Sequence, residues 1–158
     1  MGSPPEVPLD ELYREVVLDH YRHPRGREPL ARVDVTAQGF NPLCGDQVEV
    51  ALQVGEELIQ QAQVLSRGCA ICTASASMMA EALPGQTLAQ AEQGAEAFRQ
   101  VMHGKPFPQE LPLGDLEALE GVKHFPVRVK CALLPWMTLK EAIAALRRGE
   151  RRAKATTE

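Results

Sequence analysis

The run Ser66-Arg67-Gly68-Cys69-Ala70-Ile71-Cys72-Thr73-Ala74-Ser75-Ala76-Ser77-Met78-Met79 constrains the fold more than any other stretch. A glycine and a cysteine stand where a strand ends and a helix begins. Gly68 can take the positive φ that such a junction often needs. The small residues that follow let the helix lie very close to whatever it packs on. A thiolate at a helix N-terminus is favoured by the backbone N–H groups and the macrodipole, by roughly 0.3–1 kcal/mol per charge. The junction therefore suits either a buried structural cysteine or a reactive, metal-bound sulfur, and the rest of the chain must decide between them.

The flanking segments read as one α+β domain over residues 1–158, with no internal repeat and no linker. Residues 1–8 form a Pro-rich lead-in. From Leu9, apolar residues at Leu12, Tyr13, Val16, Val17 and Tyr21 recur at helical spacing until Pro24 and Gly26 stop them. His20 and His23 at the end of that helix read as packing or solvated residues. Val33–Val35 begins a strand, and Asn41-Pro42-Leu43-Cys44-Gly45-Asp46 is a tight turn. Gln47–Val54 alternates as a half-buried strand, and Leu58–Leu65 pairs back on it across Gly55-Glu56-Glu57. Ala70–Leu83 is a helix, and Thr87-x-x-Gln90 marks a capping box ahead of a second one. After a Pro-rich loop, Asp115 caps a short helix over Leu116–Glu120. Val122–Lys130 reads as an extended approach to Cys131, and Pro135 implies that the last helix starts close to that cysteine. Residues 150–158 read as a solvated tail.

Composition narrows the function. A formal charge of −4 and 4% aromatic residues give neither a basic footprint nor stacking platforms for nucleic acid. No apolar run has the length of a membrane span, and the first residues lack the pattern of a signal peptide. A cytoplasmic chain is expected, in which thiols stay reduced and four cysteines point to metal or sulfur chemistry.

Cys44, Cys69 and Cys131 each stand where an extended or turning segment gives way to the next element, and Asp46 follows Cys44 across a glycine. Such junctions gather at one end of a sheet-and-helix domain. Three thiolates and a carboxylate suit a tetrahedral zinc ion or the irons of a small cluster. They leave about two net negative charges around a divalent ion, which Arg67, Arg128 and Lys130 are placed in sequence to offset. Cys72 shares a helix face with Cys69. It is either a further ligand in place of Asp46 or a small packing residue, and a dithiol oxidoreductase built on the two would leave Cys44, Asp46 and Cys131 without a role.

Three segments together, Asn41-Pro42-Leu43-Cys44-Gly45-Asp46, Gly68-Cys69-Ala70-Ile71 with Ala74-Ser75-Ala76-Ser77-Met78-Met79, and Phe125-Pro126-Val127-Arg128-Val129-Lys130-Cys131, resemble the U-type iron–sulfur assembly proteins. The resemblance runs from about Leu9 to Leu146. It is nearer to the SufU branch than to the IscU scaffolds, because Lys130 stands where IscU proteins carry a histidine and Phe107–Gly121 matches a SufU insertion. It implies a small, mainly antiparallel three-stranded sheet with helices packed on it. It further implies Cys44, Asp46, Cys69 and Cys131 as zinc ligands, with Cys131 accepting persulfide sulfur from a SufS-like, pyridoxal-phosphate cysteine desulfurase. The alternative within the same family is a scaffold that builds a [2Fe–2S] cluster and passes it to apoproteins. Cys72, where SufU proteins ordinarily carry serine, departs from the pattern.

Overall fold

The computed structural model describes residues 10–110 and 113–157; the expected lead-in lies outside them. The element order is α1 (Glu11–Arg22), β1 (Val35–Asn41), β2 (Asp46–Gly55), β3 (Leu58–Arg67), α2 (Ala70–Ala82), α3 (Leu88–Met102), a 3-10 helix (Gly114–His124), α4 (Pro126–Arg147) and β4 (Arg152–Thr156). Among the described residues the sheet has four strands in the order β3-β2-β1-β4. The first three pair antiparallel, and β4 runs parallel to β1.

One face of the sheet carries the core. Val35, Ala37, Val48, Val50, Leu52, Ile59, Ala62 and Val64 point inward and are buried, as the period-two side-chain alternation of strands demands. The inward rows of β1 and β2 end in Asn41 and Asp46, which face each other in the ladder and are both fully buried. A polar pair thus terminates an otherwise apolar face, at the end of the sheet where α2 begins.

The β2–β3 hairpin turns on Glu56 and Glu57, whose φ values are 55° and 64°. Two consecutive left-handed residues are what the twist of a two-residue hairpin favours, although glutamate is an unfavourable choice there. In α3 the expected capping box is present: the Gln90 N–H donates to Thr87 Oγ1 and the Thr87 N–H to Gln90 Oε1, at 3.0 and 2.9 Å.

Three expectations are corrected. The 150–158 tail holds β4, so the sheet is not three-stranded. Gly149, with φ of 78°, closes α4 as a left-handed cap and sends the chain back along β1. The strand's Arg-Ala-Lys-Ala-Thr alternation is an edge strand written in charges. The segment before Cys131 is helical, the 3-10 helix followed directly by α4 from Pro126. Val122, Phe125, Val129 and Leu133 are spaced by three or four residues and bury one stripe, which wins over the short alternation of Val127 and Val129. Pro135 consequently lies inside a 22-residue helix, where it cannot donate to the carbonyl of Cys131.

α4 is the central helix, buried along Val129, Cys131, Leu134, Trp136, Leu139 and Ile143 between the sheet and the other helices. It packs tightly on the sheet at Gly39, where a Cβ would meet Thr138 Oγ1 at 2.0 Å. Gly39→Ala is expected to destabilise the fold by roughly 1–3 kcal/mol through overpacking. Glu57→Gly relieves a left-handed glutamate and is expected to stabilise it by about 1 kcal/mol. Urea unfolding followed by circular dichroism measures both; equal midpoints for the three proteins would refute the two assignments.

Candidate metal centre

Each cysteine of interest is delivered by a different piece of backbone. Cys44 sits in the turn between β1 and β2. That turn is held by the Asn41 side chain, whose Oδ1 accepts from the Leu43 N–H at 3.1 Å, and by the Asn41 carbonyl, which accepts from the Gly45 N–H at 2.8 Å. Gly45 takes a φ of 74°, so a side chain there would be strained. Asp46 opens β2 on the inward face. Cys69 is the N-cap of α2 and accepts from the Cys72 N–H at 3.4 Å. Cys131 lies on the second turn of α4, fully buried.

Gly68 is what lets α2 begin against β2. A Cβ at that position would stand 2.1 Å from Asp46 Oδ1. With glycine there, the Asp46 Oδ1 accepts the Cys69 N–H at 2.9 Å. The other carboxylate oxygen faces sulfur, with Cys69 Sγ 3.8 Å away. A fully buried carboxylate carrying so few conventional donors is a costly bare anion, which a cation beside it would offset.

The donor atoms of Cys44, Asp46 and Cys131 all lie within 4.8 Å of one another. The Cys44 and Cys131 sulfurs are 3.5 Å apart, and Cys69 joins the group through Asp46. A tetrahedral ion with sulfur arms of about 2.3 Å has sulfur–sulfur edges of roughly 3.8 Å. The Cys44–Cys131 spacing is close to such an edge, and the donor set, with Cys69 Sγ brought to 3.8 Å from Asp46, suits zinc and equally suits iron. Cys72 stands apart from this group, fully buried in the hydrophobic core.

Charge is unevenly shared. The Cys69 thiol is lowered to about 7, first by its hydrogen bond with Cys131 and then by the Cys72 N–H and the Arg128 charge, against burial and the Asp46 carboxylate. Cys131 is raised, because it keeps the shared proton, is buried and also faces Asp46. Burial, with the charges of Asp46, Cys69 and Cys44, raises Cys72 well above an ordinary thiol. Of the three basic residues singled out in the sequence, Arg128 acts on the site. Arg67 instead lines a shallow concavity on the open face of the sheet with Gln47 and Lys154, and Lys130 lines a groove with Thr156 and Thr157.

Asn41 is the residue whose role the sequence left unassigned. Its Nδ2 points at Cys131 Sγ, 3.9 Å away. An asparagine opening a turn ahead of proline was a visible signal, but only the ladder shows that it faces inward. The histidines lie elsewhere. His20 is fully buried and bonded to Ser77 and Asp115 at 2.7 and 2.8 Å, tying α1 to α2 and the 3-10 helix. His23 is exposed and pairs with Asp19. Leu43 and Val127, next to Cys44 and one turn before Cys131, are 65% and 58% exposed, so the mouth of the cysteine cluster has an apolar rim. Among the described residues no helix is long and apolar enough to cross a membrane.

The family model of the NifU-like N terminal domain matches residues 12–150. The chain is 38% identical over 136 residues to the zinc-dependent sulfurtransferase SufU of Bacillus subtilis, covering 86% of this chain and 92% of the relative. It is also 38% identical over 135 residues to the iron–sulfur cluster assembly scaffold protein IscU of Streptococcus pyogenes, covering 85% and 84%. The crystal structure of the N-terminal part of a nitrogen-fixing NifU-like protein from Brucella abortus superposes with a TM-score of 0.81 over 88% of this chain and 96% of that one. At 23% identity that last likeness speaks for the fold alone. The α+β architecture, the matched span and the two relatives agree: the chain belongs to the NifU-like N-terminal domain family.

Proposed function

We propose that this protein serves iron–sulfur cluster assembly as a zinc-containing sulfur acceptor, with Cys44, Asp46, Cys69 and Cys131 as the ligands. The observation that carries the reading is the buried Asp46 carboxylate, whose donor atom lies within 4.8 Å of the Cys44 and Cys131 sulfurs and 3.8 Å from Cys69 Sγ. The name of the Bacillus subtilis relative, a zinc-dependent sulfurtransferase, supports it. Zinc held there would supply a positive charge that keeps the sulfurs deprotonated and protected.

Sulfur reaches Cys131 by displacement on a persulfide. The partner, a cysteine desulfurase, presents a cysteine persulfide, and the Cys131 thiolate attacks its outer sulfur. The donor's sulfur–sulfur bond breaks, its electron pair leaves with the donor thiolate, and Cys131 becomes the persulfide. Asn41 Nδ2, 3.9 Å from Cys131 Sγ, donates toward the sulfur and steadies its charge. The exposed Leu43 and Val127 give the donor an apolar surface to settle on around the reacting sulfur. Lys130 faces the β4 groove, so the position next to Cys131 adds no imidazole ligand of the kind that marks the scaffolds.

The second reading, a scaffold that assembles a [2Fe–2S] cluster and hands it to apoproteins, is favoured by the equal identity to the Streptococcus pyogenes relative. Elemental analysis of protein purified without added metal separates the two. About one zinc per chain is expected, whereas iron with matching acid-labile sulfide would establish the scaffold. Asp46→Ala is expected to speed zinc loss to a chelator by at least about tenfold, on the scale of a lost oxygen ligand or its support. Unchanged retention would remove Asp46 from the ligand set. Cys131→Ser is expected to abolish persulfide accumulation in the presence of desulfurase and cysteine while leaving the circular dichroism spectrum intact. Normal accumulation in that variant would move the acceptor to another cysteine.

A further inference from the structure

Cys72 has no part in the metal reading, yet its position is specific. It is the N3 residue of α2, and Cys69 is the N-cap. Side chains at those two positions meet in a capping box, because each reaches the backbone N–H of the other. Half of that contact is present here, from the Cys72 N–H to Cys69 Sγ at 3.4 Å. Helical geometry sets the two α-carbons about 5 Å apart, inside the window of roughly 4.4–6.8 Å that a disulfide accepts. Cys69 is partly exposed and Cys72 lies directly behind it, fully buried. Of the remaining two thiols, Cys131 bonds Cys69 as well but lies 3.5 Å from Cys44. All four cysteines are free.

A site of three thiols is odd in number. Once Cys44 and Cys131 have paired, the partly exposed Cys69 is left alone, open to irreversible sulfinic oxidation or to cross-linking with another chain. A buried fourth thiol within reach removes that outcome. Packing does not call for sulfur at this place, since the same helix buries Ala74, Ser75, Ala76 and Ser77.

We propose that Cys69 and Cys72 are a reversible redox pair with Cys72 as the resolving thiol, so that hydroperoxides close the site as two intrachain disulfides, Cys44–Cys131 and Cys69–Cys72. The Cys69 thiolate attacks the peroxide O–O bond, becomes a sulfenic acid and releases water or alcohol. Cys72 then gives up its proton, attacks the sulfenic sulfur and expels hydroxide, which leaves as water. Each pair of thiols surrenders one electron pair to one hydroperoxide molecule as it becomes a disulfide, and added thiols restore the four cysteines by exchange. This inference depends on the thiol geometry and not on which metal the site holds.

Trypsin makes the test direct. Cys69 and Cys72 lie on one peptide, residues 68–99, while Cys44 lies on 33–67 and Cys131 on 131–140. Protein as purified and protein stripped with a chelator are treated with hydrogen peroxide, blocked with an alkylating agent and digested without reduction. The expected map shows peptide 68–99 unalkylated and lighter by one pair of hydrogens, and peptides 33–67 and 131–140 joined. Dithiothreitol then restores metal binding almost fully. In Cys72→Ser, peptide 68–99 instead carries sulfinic acid at Cys69, and recovery of metal binding falls several-fold. Cys72→Ala, in keeping with the alanines of the same helix, serves where serine prevents folding. Cys69 joined to either other peptide, Cys72 still free after Cys69 has oxidised, or equal recovery in the variants would each overturn the pairing. The peptide map reads the same whether the metal proves to be zinc or iron, so failure of the sulfur-transfer reading leaves this result standing on its own.

Discussion

The hydrogen bond from the Cys69 N–H to the buried Asp46 carboxylate, 2.9 Å long, is the contact on which the site's geometry depends. It joins the first residue of β2 to the N-cap of α2, two points far apart in sequence, and it does so where the core ends and the cysteines begin. The contact exists because Gly68 has no side chain to fill the space that Asp46 Oδ1 occupies. The same bond leaves the second carboxylate oxygen with sulfur for company, which is costly for a buried anion unless a cation joins it. Fold and proposed chemistry meet in one residue: the aspartate that anchors the helix start is also the carboxylate of the proposed metal site.

Much of this was legible before any coordinates. The glycine–cysteine junction, the β2–β3 hairpin and the α3 capping box announce themselves through local rules that act within a few residues. What stayed hidden depends on distant partners. β4 has only Ala153 and Ala155 as apolar residues and becomes a strand because β1 offers it an edge. The run before Cys131 carries valines at a spacing of two and a longer stripe at a spacing of three or four, and only packing against the body of the protein selects the second. Pro135, read as a helix start, is tolerated inside α4 because the helix is buried on most sides and tertiary contacts outweigh a loss of about 3 kcal/mol. The three cysteines and Asp46 could be grouped from their context at element ends, whereas Asn41 could not, since its inward direction follows from the register with Asp46. Proximity in sequence was likewise a poor guide to the basic residues. Arg67 is next to Gly68 in the chain but lies on the outer face of the sheet, because a strand alternates sides at every residue.

The proline inside α4 has a local consequence as well. Without its N–H, the Cys131 carbonyl lacks the usual helical donor, while the neighbouring carbonyls of Ala132 and Leu134 are taken by Ser75 Oγ and Thr138 Oγ1 at 2.6 and 2.7 Å. These hydroxyls are buried side chains of α2 and α4, so the turn that carries Cys131 is braced by side chains where the backbone ladder is broken.

The four donor groups are therefore not held alike. Asp46 and Cys69 are locked to each other at a strand–helix junction, and Cys131 is fixed by α4 and faced by Asn41. Cys44 alone sits on an exposed turn, between the solvent-facing Leu43 and Gly45, and is held there by hydrogen bonds of Asn41 rather than by packing of its own element. Moving it disturbs a surface turn and one 3.5 Å contact with the buried Cys131 sulfur, while moving any of the other three disturbs the start of a core strand or helix. As the proposed ligand set, three groups built into the fold and one on a turn would retain an ion through the rigid members and open through the loose one. The apolar rim of Leu43 and Val127 stands at that opening, so whatever settles on the rim also meets the donor that costs least to displace.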